Sequence, residues 1–271
     1  MAGNLFFGET RFGAKLWLRI GPVSFQPGEL LKILVILLGA VSYRNFRRSL
    51  VFCTAALAVS GELVYLNDLG GAVIVFLLFV WMTYILFDNR LLSLGIIAAA
   101  LVLFYLSVKA TGHARLRLEN WLHIMELPAG SQQRQALVAA IFGGFGGLGF
   151  ADAHIMTNIF SAQSDTALAG VMAVFGHPVL LLTMGAYALL ILQSAFHSSV
   201  YPSGYLILAQ TSLYLFLHPM ENFCGALDLL PFTGVTAPLV SAGGTSMVSC
   251  CALLGLCLAS LDPKLKRREA V

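Results

Sequence analysis

Asp165 closes the polar run Ser161-Ala162-Gln163-Ser164-Asp165, directly ahead of a long apolar stretch. A carboxylate at such a boundary can take the proton of a sugar hydroxyl as a general base. It can also cap the helix that follows, and spacing alone favours the cap. Lys15, Arg19, Arg115 and Arg117 lie in polar segments, and a planar guanidinium pairs well with a diphosphate. Glu29 and Lys32 stand three apart in an apolar segment, on one helical face. They either pair with each other or form a charged functional site. Asp68, in Asn67-Asp68-Leu69-Gly70-Gly71, offers a similar choice between a cap and a function, and with Glu62 it brackets a junction between two apolar runs. The most ordered stretch begins at Asn222 and reads LPFTGVTAPLVSAGGTS from Leu230 to Ser246, with Pro231, Pro238, Ser241, Gly243 and Gly244 in it. Such glycines and hydroxyls let the backbone bend and present N–H groups at a helix start, as anion-binding turns do.

The elements that must position these groups are membrane helices. Of 271 residues 58% are hydrophobic and 11% charged, against about 25% charged in a soluble domain, and the mean hydropathy is +0.84. A soluble fold could not cover that much apolar surface. This excludes a soluble enzyme, a disulfide scaffold, a disordered chain and an ordinary nucleic-acid binder. Hydropathy predicts an all-α polytopic bundle, a single domain over 1–271 with about seven spans. They lie near 29–43, 49–67, 70–87, 91–109, 167–195, 203–219 and 236–260. Cys53, Cys224, Cys250, Cys251 and Cys257 show no metal or redox spacing, and neither do His154, His177 and His218. The three tryptophans, Trp17, Trp81 and Trp121, suit interfacial anchoring.

Charge sets the expected orientation. The loop with Arg44, Arg47 and Arg48 and the tail Lys264-Leu265-Lys266-Arg267-Arg268 are the densest basic clusters, and Arg90 agrees with them. The positive-inside rule makes them cytoplasmic, which puts the connection 111–166 and the N-terminus outside. An outside start with basic residues and no preceding span leads us to expect further spans upstream. Within the connection, the apolar, Gly-rich stretch Ala136–Phe150 is too short for a comfortable span. It reads as a half-helix in a protein-enclosed cavity or as a surface helix.

Four stretches, in order, are similar to the SEDS family (shape, elongation, division and sporulation). Gly13-Ala14-Lys15-Leu16-Trp17 through Phe25-Gln26-Pro27-Gly28-Glu29-Leu30 resembles the family's N-G-A-x-R-W … F-Q-P-S-E. Asn67-Asp68-Leu69-Gly70-Gly71-Ala72 resembles Q-P-D-L-G-T-A. Arg117 to Trp121, Gln132, Gln135 and Gly143-Gly144 resemble the external loop R-x-x-x-W … Y-Q-x-x-Q-S-L … G-G. The segment Asn222–Ser246 resembles N-x-x-x-x-x-G-x-L-P-x-T-G-x-x-x-P-x-x-S-Y-G-G-S-S.

The resemblance implies a ten-span glycosyltransferase of the bacterial plasma membrane, of which these would be the last seven spans. It implies polymerisation of lipid II into glycan strands alongside a class B penicillin-binding protein, with a divalent cation (Mg or Mn). It implies Asp165 as the catalytic aspartate. Lys15, Trp17, Arg115, Arg117, Gln132, Gln135, Ser241, Gly243 and Gly244 would bind substrate. Glu29, Lys32, Asp68, Asn222, Pro231 and Pro238 would have structural or secondary roles. The chain departs from the family at Gln163 (histidine), Thr166 (phenylalanine), Ala173 and Val174 (paired glutamates), Gly28 (serine) and Ala242 (tyrosine). Those departures leave open a non-catalytic scaffold for a penicillin-binding protein, and external arginines with Gly-broken helices leave open a transporter of lipid-linked precursors.

Overall fold

A computed structural model describes residues 9–11, 14–149, 163–196 and 202–260. The basic tail Lys264–Arg268, His154 and the end of the Gly-rich stretch at Phe150 lie outside the described residues. The chain divides into two compact units, one of Met1–Ala114, Leu192–Tyr214 and Val248–Val271, the other of Arg115–Ile191 and Leu215–Met247.

The fold is mostly helical, as the hydropathy predicts, with one addition. Strands β1 (Glu9–Arg11), β2 (Ala14–Ile20) and β3 (Val23–Phe25) form an antiparallel meander in that order. β2 alternates Lys15, Trp17 and Arg19 with Leu16, Leu18 and Ile20, the period-two pattern of a strand. Four helices follow: α1 (Pro27–Ser42), α2 (Phe46–Tyr65), α3 (Leu69–Leu86) and α4 (Arg90–Lys109). Their starts are chemically marked. Pro27 opens α1, where a missing N–H costs nothing. Asn45, Asp68 and Asn89 each cap the next helix through a side-chain oxygen.

α2, α3 and α4 are long and apolar enough to cross a membrane. The core of the first unit packs Phe52, Leu63, Phe76, Phe79 and Met82 between helices, and Phe76 stacks on Phe104 of α4 at 4.6 Å. Apart from Ser93 and Ala100, the described side chains of α4 are not buried, as suits a helix facing lipid.

The connection 111–166 carries α5 (Gly112–Leu122), a 3-10 turn at Ile124–Glu126 and α6 (Gln132–Gly143). The expected span 167–195 is two helices, α7 (Ala167–Phe175) and α8 (His177–Phe196), broken at Gly176. Gly176 has φ +80°, and a Cβ there would lie 2.3 Å from the Phe145 carbonyl oxygen. The crowding comes from the 144–149 backbone, which bonds to this break: Leu148 N–H to Ala173 O (2.8 Å), Gly149 N–H to Val174 O (3.0 Å) and His177 N–H to Gly144 O (2.9 Å).

α9 (Pro202–Ala226) runs beyond the expected limit at 219, because Pro219 sits inside the helix instead of ending it. α10 (Gly244–Ser260) starts eight residues later than expected, after an irregular stretch with Gly234 at φ +75° and Leu239 at φ +65°.

Candidate active site

Asp165 lies in the turn 163–166 that precedes α7. The N-cap position falls on Thr166, with no side-chain cap bond there, so Asp165 precedes the helix by one further residue. Its neighbours come from the end of α9 and the stretch that follows it. Asn222, on the last turns of α9, donates from Nδ2 to the Asp165 carbonyl at 2.7 Å and to the Val235 carbonyl at 2.7 Å. Ser241 Oγ donates to the Ser164 carbonyl at 2.8 Å and accepts from Ala237 N–H at 2.8 Å. The Ala242 N–H donates to the Gln163 carbonyl at 2.6 Å. Gly234 lies against the Asp165 carboxylate: a Cβ there would be 3.5 Å from Oδ2.

The floor under this turn is α6 on α7. Ala136, Ala139, Ala140 and Gly143 line the buried face of α6, a small-residue face that lets backbones approach closely. A Cβ on Gly143 would be 2.0 Å from the Met172 carbonyl oxygen. Leu168, Met172, Leu180, Ala226 and Ala237 complete this core. His177 bonds the Ala140 carbonyl at 2.8 Å, a structural histidine.

The remaining wall is held from α5. Arg117 Nη1 donates to the Phe232 carbonyl at 3.0 Å and Trp121 Nε1 to the Asp228 carbonyl at 2.8 Å. Both therefore brace the segment 228–243, a role their sequence positions did not suggest. Arg115 instead points outward, 81% exposed, and pairs with Glu119 at 2.8 Å. Pro238 accepts from the Tyr187 hydroxyl through its carbonyl. Gly243 is close to Thr236 and Ser246 and Gly244 opens α10. Pro231 is half-buried in the same segment. Gln132 and Gln135 lie at the start of α6, half-buried.

Two residues of this wall escaped the sequence reading. Asp228 (φ +59°) accepts from Gln133 Nε2 at 3.3 Å. Burial pushes its carboxyl above the ordinary carboxylate value, with the Gln133 bond pulling the other way. Asp228 stands in the segment Asn222–Ser246, where the family pattern quoted above carries a glycine, and Gln133 lies between Gln132 and Gln135; neither was singled out as a candidate.

The other candidates belong to the first unit. Lys15 and Trp17 lie on β2. Glu29 and Lys32 form a buried pair at 2.8 Å, and Tyr214 donates to the second Glu29 oxygen at 3.0 Å. Asp68 caps α3 by accepting from Gly71 N–H at 2.9 Å. Both bland alternatives are realised here. Among the described residues no group of three His, Cys, Asp or Glu side chains could hold a metal ion.

The family model FtsW/RodA/SpoVE, described as "Cell cycle protein", matches residues 2–265. The chain is 29% identical over 265 residues to the probable peptidoglycan glycosyltransferase FtsW of Haemophilus ducreyi, covering 92% of this chain and 66% of that protein. It is 28% identical over 275 residues to the peptidoglycan glycosyltransferase RodA of Mycobacterium tuberculosis, covering 90% and 57%. The chain thus spans between about half and two-thirds of the length of these relatives. Among solved structures it is similar to a chain of a peptidoglycan synthase complex that coordinates polymerization and crosslinking (TM-score 0.71, 26% identity, 95% of this chain and 76% of that one). It also shares the fold of the rod shape determining protein RodA of Thermus thermophilus (TM-score 0.62, 24% identity, 95% and 72%). With a match over nearly its whole length, this chain belongs to the FtsW/RodA/SpoVE family of cell cycle proteins.

Proposed function

We propose that this chain is a membrane peptidoglycan glycosyltransferase that polymerises lipid II, with Asp165 as its general base. The 4-hydroxyl of the acceptor sugar attacks the anomeric carbon of the donor. The bond from that carbon to the diphosphate oxygen breaks, the polyprenyl diphosphate leaves, and the hydroxyl proton passes to Asp165. Arg115 and Arg117 offset the charge that builds on the leaving group. The Arg115–Glu119 pair is exposed and such pairs are weak, about 0–1 kcal/mol, so Arg115 can exchange Glu119 for phosphate readily. Arg117 bonds Phe232 O, which fixes its guanidinium beside the same segment.

The observation that supports this reading is the way Asp165 is held. It stands outside α7, with its carboxylate against Gly234 and its backbone tied to Asn222. A carboxylate needed only as a cap would occupy the N-cap position. Class B penicillin-binding proteins are the proposed partners, in the bacterial plasma membrane with 111–166 external and the C-terminus cytoplasmic.

A non-catalytic scaffold is the second reading. It draws on Ala173 and Val174, both buried, where the family carries glutamates. Purified protein in liposomes with labelled lipid II separates the readings. Glycan strands support the polymerase, transbilayer movement without polymer supports a transporter, and neither supports the scaffold.

A further inference from the structure

The carbonyls of Gln163, Ser164 and Asp165, three in succession, each accept a hydrogen bond from the segment that starts at Asn222 and ends at Ala242. From this we infer that Asn222 and Ser241 are positioning residues, which fix the backbone of 163–165 and so aim the Asp165 carboxylate. The inference rests on the general-base reading of Asp165.

The orientation of the Asn222 amide follows from its partners. Both groups at 2.7 Å are carbonyl oxygens, which only the NH2 end can satisfy. One amide therefore fastens the Asp165 turn to Val235, the residue next to Gly234. Gly234 in turn lies against the carboxylate that the amide's first bond positions. Asn222 is buried, 3% exposed, where solvent competes little for these bonds and an unmet polar group is costly.

Ser241 repeats the arrangement one residue earlier. Its hydroxyl accepts from Ala237 N–H while donating to Ser164 O, so it locks its own turn and the Asp165 turn with one oxygen. Each side chain acts on the main chain beneath it. Such an arrangement controls where the base sits relative to a bound hydroxyl without altering what binds. Displacing a reacting group by about 1 Å can cost 10²-fold in rate.

The test is a double-mutant cycle on lipid II polymerisation. Asn222→Asp keeps the shape and removes both donors, and Ser241→Ala removes the second tie. We expect each to lower kcat by about 10- to 100-fold, with KM within about twofold. In an Asp165→Asn background, each should lower the residual rate by less than about twofold, because there is no longer a base to aim. A full multiplicative loss in that background, a change confined to KM, or an undiminished kcat in both folded variants would overturn the inference. Should Asn222→Asp fail to fold, Ser241→Ala decides the matter on the same criteria. Loss of activity in Asp165→Asn with none in Ser241→Ala refutes positioning alone. An active Asp165→Asn refutes the general base beneath it.

Discussion

Gly143→Ala should destabilise this protein, although the same change elsewhere in a helix is favourable. Ala is preferred to Gly in a helix interior by about 0.5–1 kcal/mol. At Gly95 in α4, where an added Cβ meets nothing within 4 Å, that preference should appear undiminished. At Gly143 the added carbon would lie 2.0 Å from the Met172 carbonyl oxygen and 2.6 Å from its carbon. Real Cβ contacts are essentially never below 3.0 Å, so α6 and α7 must separate by about 1 Å. Both clashing atoms are backbone, and no side chain can turn aside. Overpacking of this kind costs about 1–3 kcal/mol, more than the helix preference returns. Thermal unfolding in detergent, followed by tryptophan fluorescence, should therefore show Gly143→Ala below wild type and Gly95→Ala at or above it. Because α7 follows the Asp165 turn directly, Gly143→Ala should also polymerise lipid II up to about 10²-fold more slowly. Equal melting temperatures for the two variants would refute the close approach of α6 to α7.

Asp228→Asn should stabilise the protein at neutral pH. The raised carboxyl makes ionisation costlier in the folded than in the unfolded chain. That penalty is absent below about pH 3.9, the unfolded value, and grows as pH rises through the folded one. Melting curves should show the gain at pH 7 and its loss near pH 3. Asn also tolerates the positive φ. For the buried pair, Glu29→Gln or Lys32→Met alone should cost about 3–5 kcal/mol, whereas the double change should recover a large part of it; equal losses in singles and double would contradict this. For topology, in a protein cleared of reactive cysteines, Cys at Ser131 should react with an impermeant thiol reagent in spheroplasts and Cys at Arg47 should not. The reverse pattern would invert the orientation.

Hydropathy located the helices because burial in lipid or core needs only apolar length, and the capping chemistry of Asp68 and the Glu29–Lys32 pair could be read from local spacing. The break at Gly176 escaped it, since a hydropathy window does not register a positive φ forced by another backbone. The β-meander was legible in the alternation of β2, but its short strands sit in a segment whose charges suggested only a polar loop. The span expected to end near 219 continues to Ala226, through a proline that the helix accommodates. At the site, the glycine and hydroxyl content of 230–246 foretold a bent backbone. It did not foretell that Ser241 would bond Ser164, 77 residues away. Nor did it reveal Arg117 reaching Phe232 across 115 residues. Such ties depend on tertiary placement, which no local pattern carries.

The most direct test of the central claim is lipid II polymerisation by Asp165→Asn. Asparagine keeps the size of the side chain and caps helices about as well as aspartate, and the Asp165 carbonyl that Asn222 holds is unchanged. The variant should fold and melt like wild type while polymerising about 10²- to 10⁴-fold more slowly, the loss usual for a missing general base. A well-folded Asp165→Asn that polymerises at the wild-type rate would contradict the account.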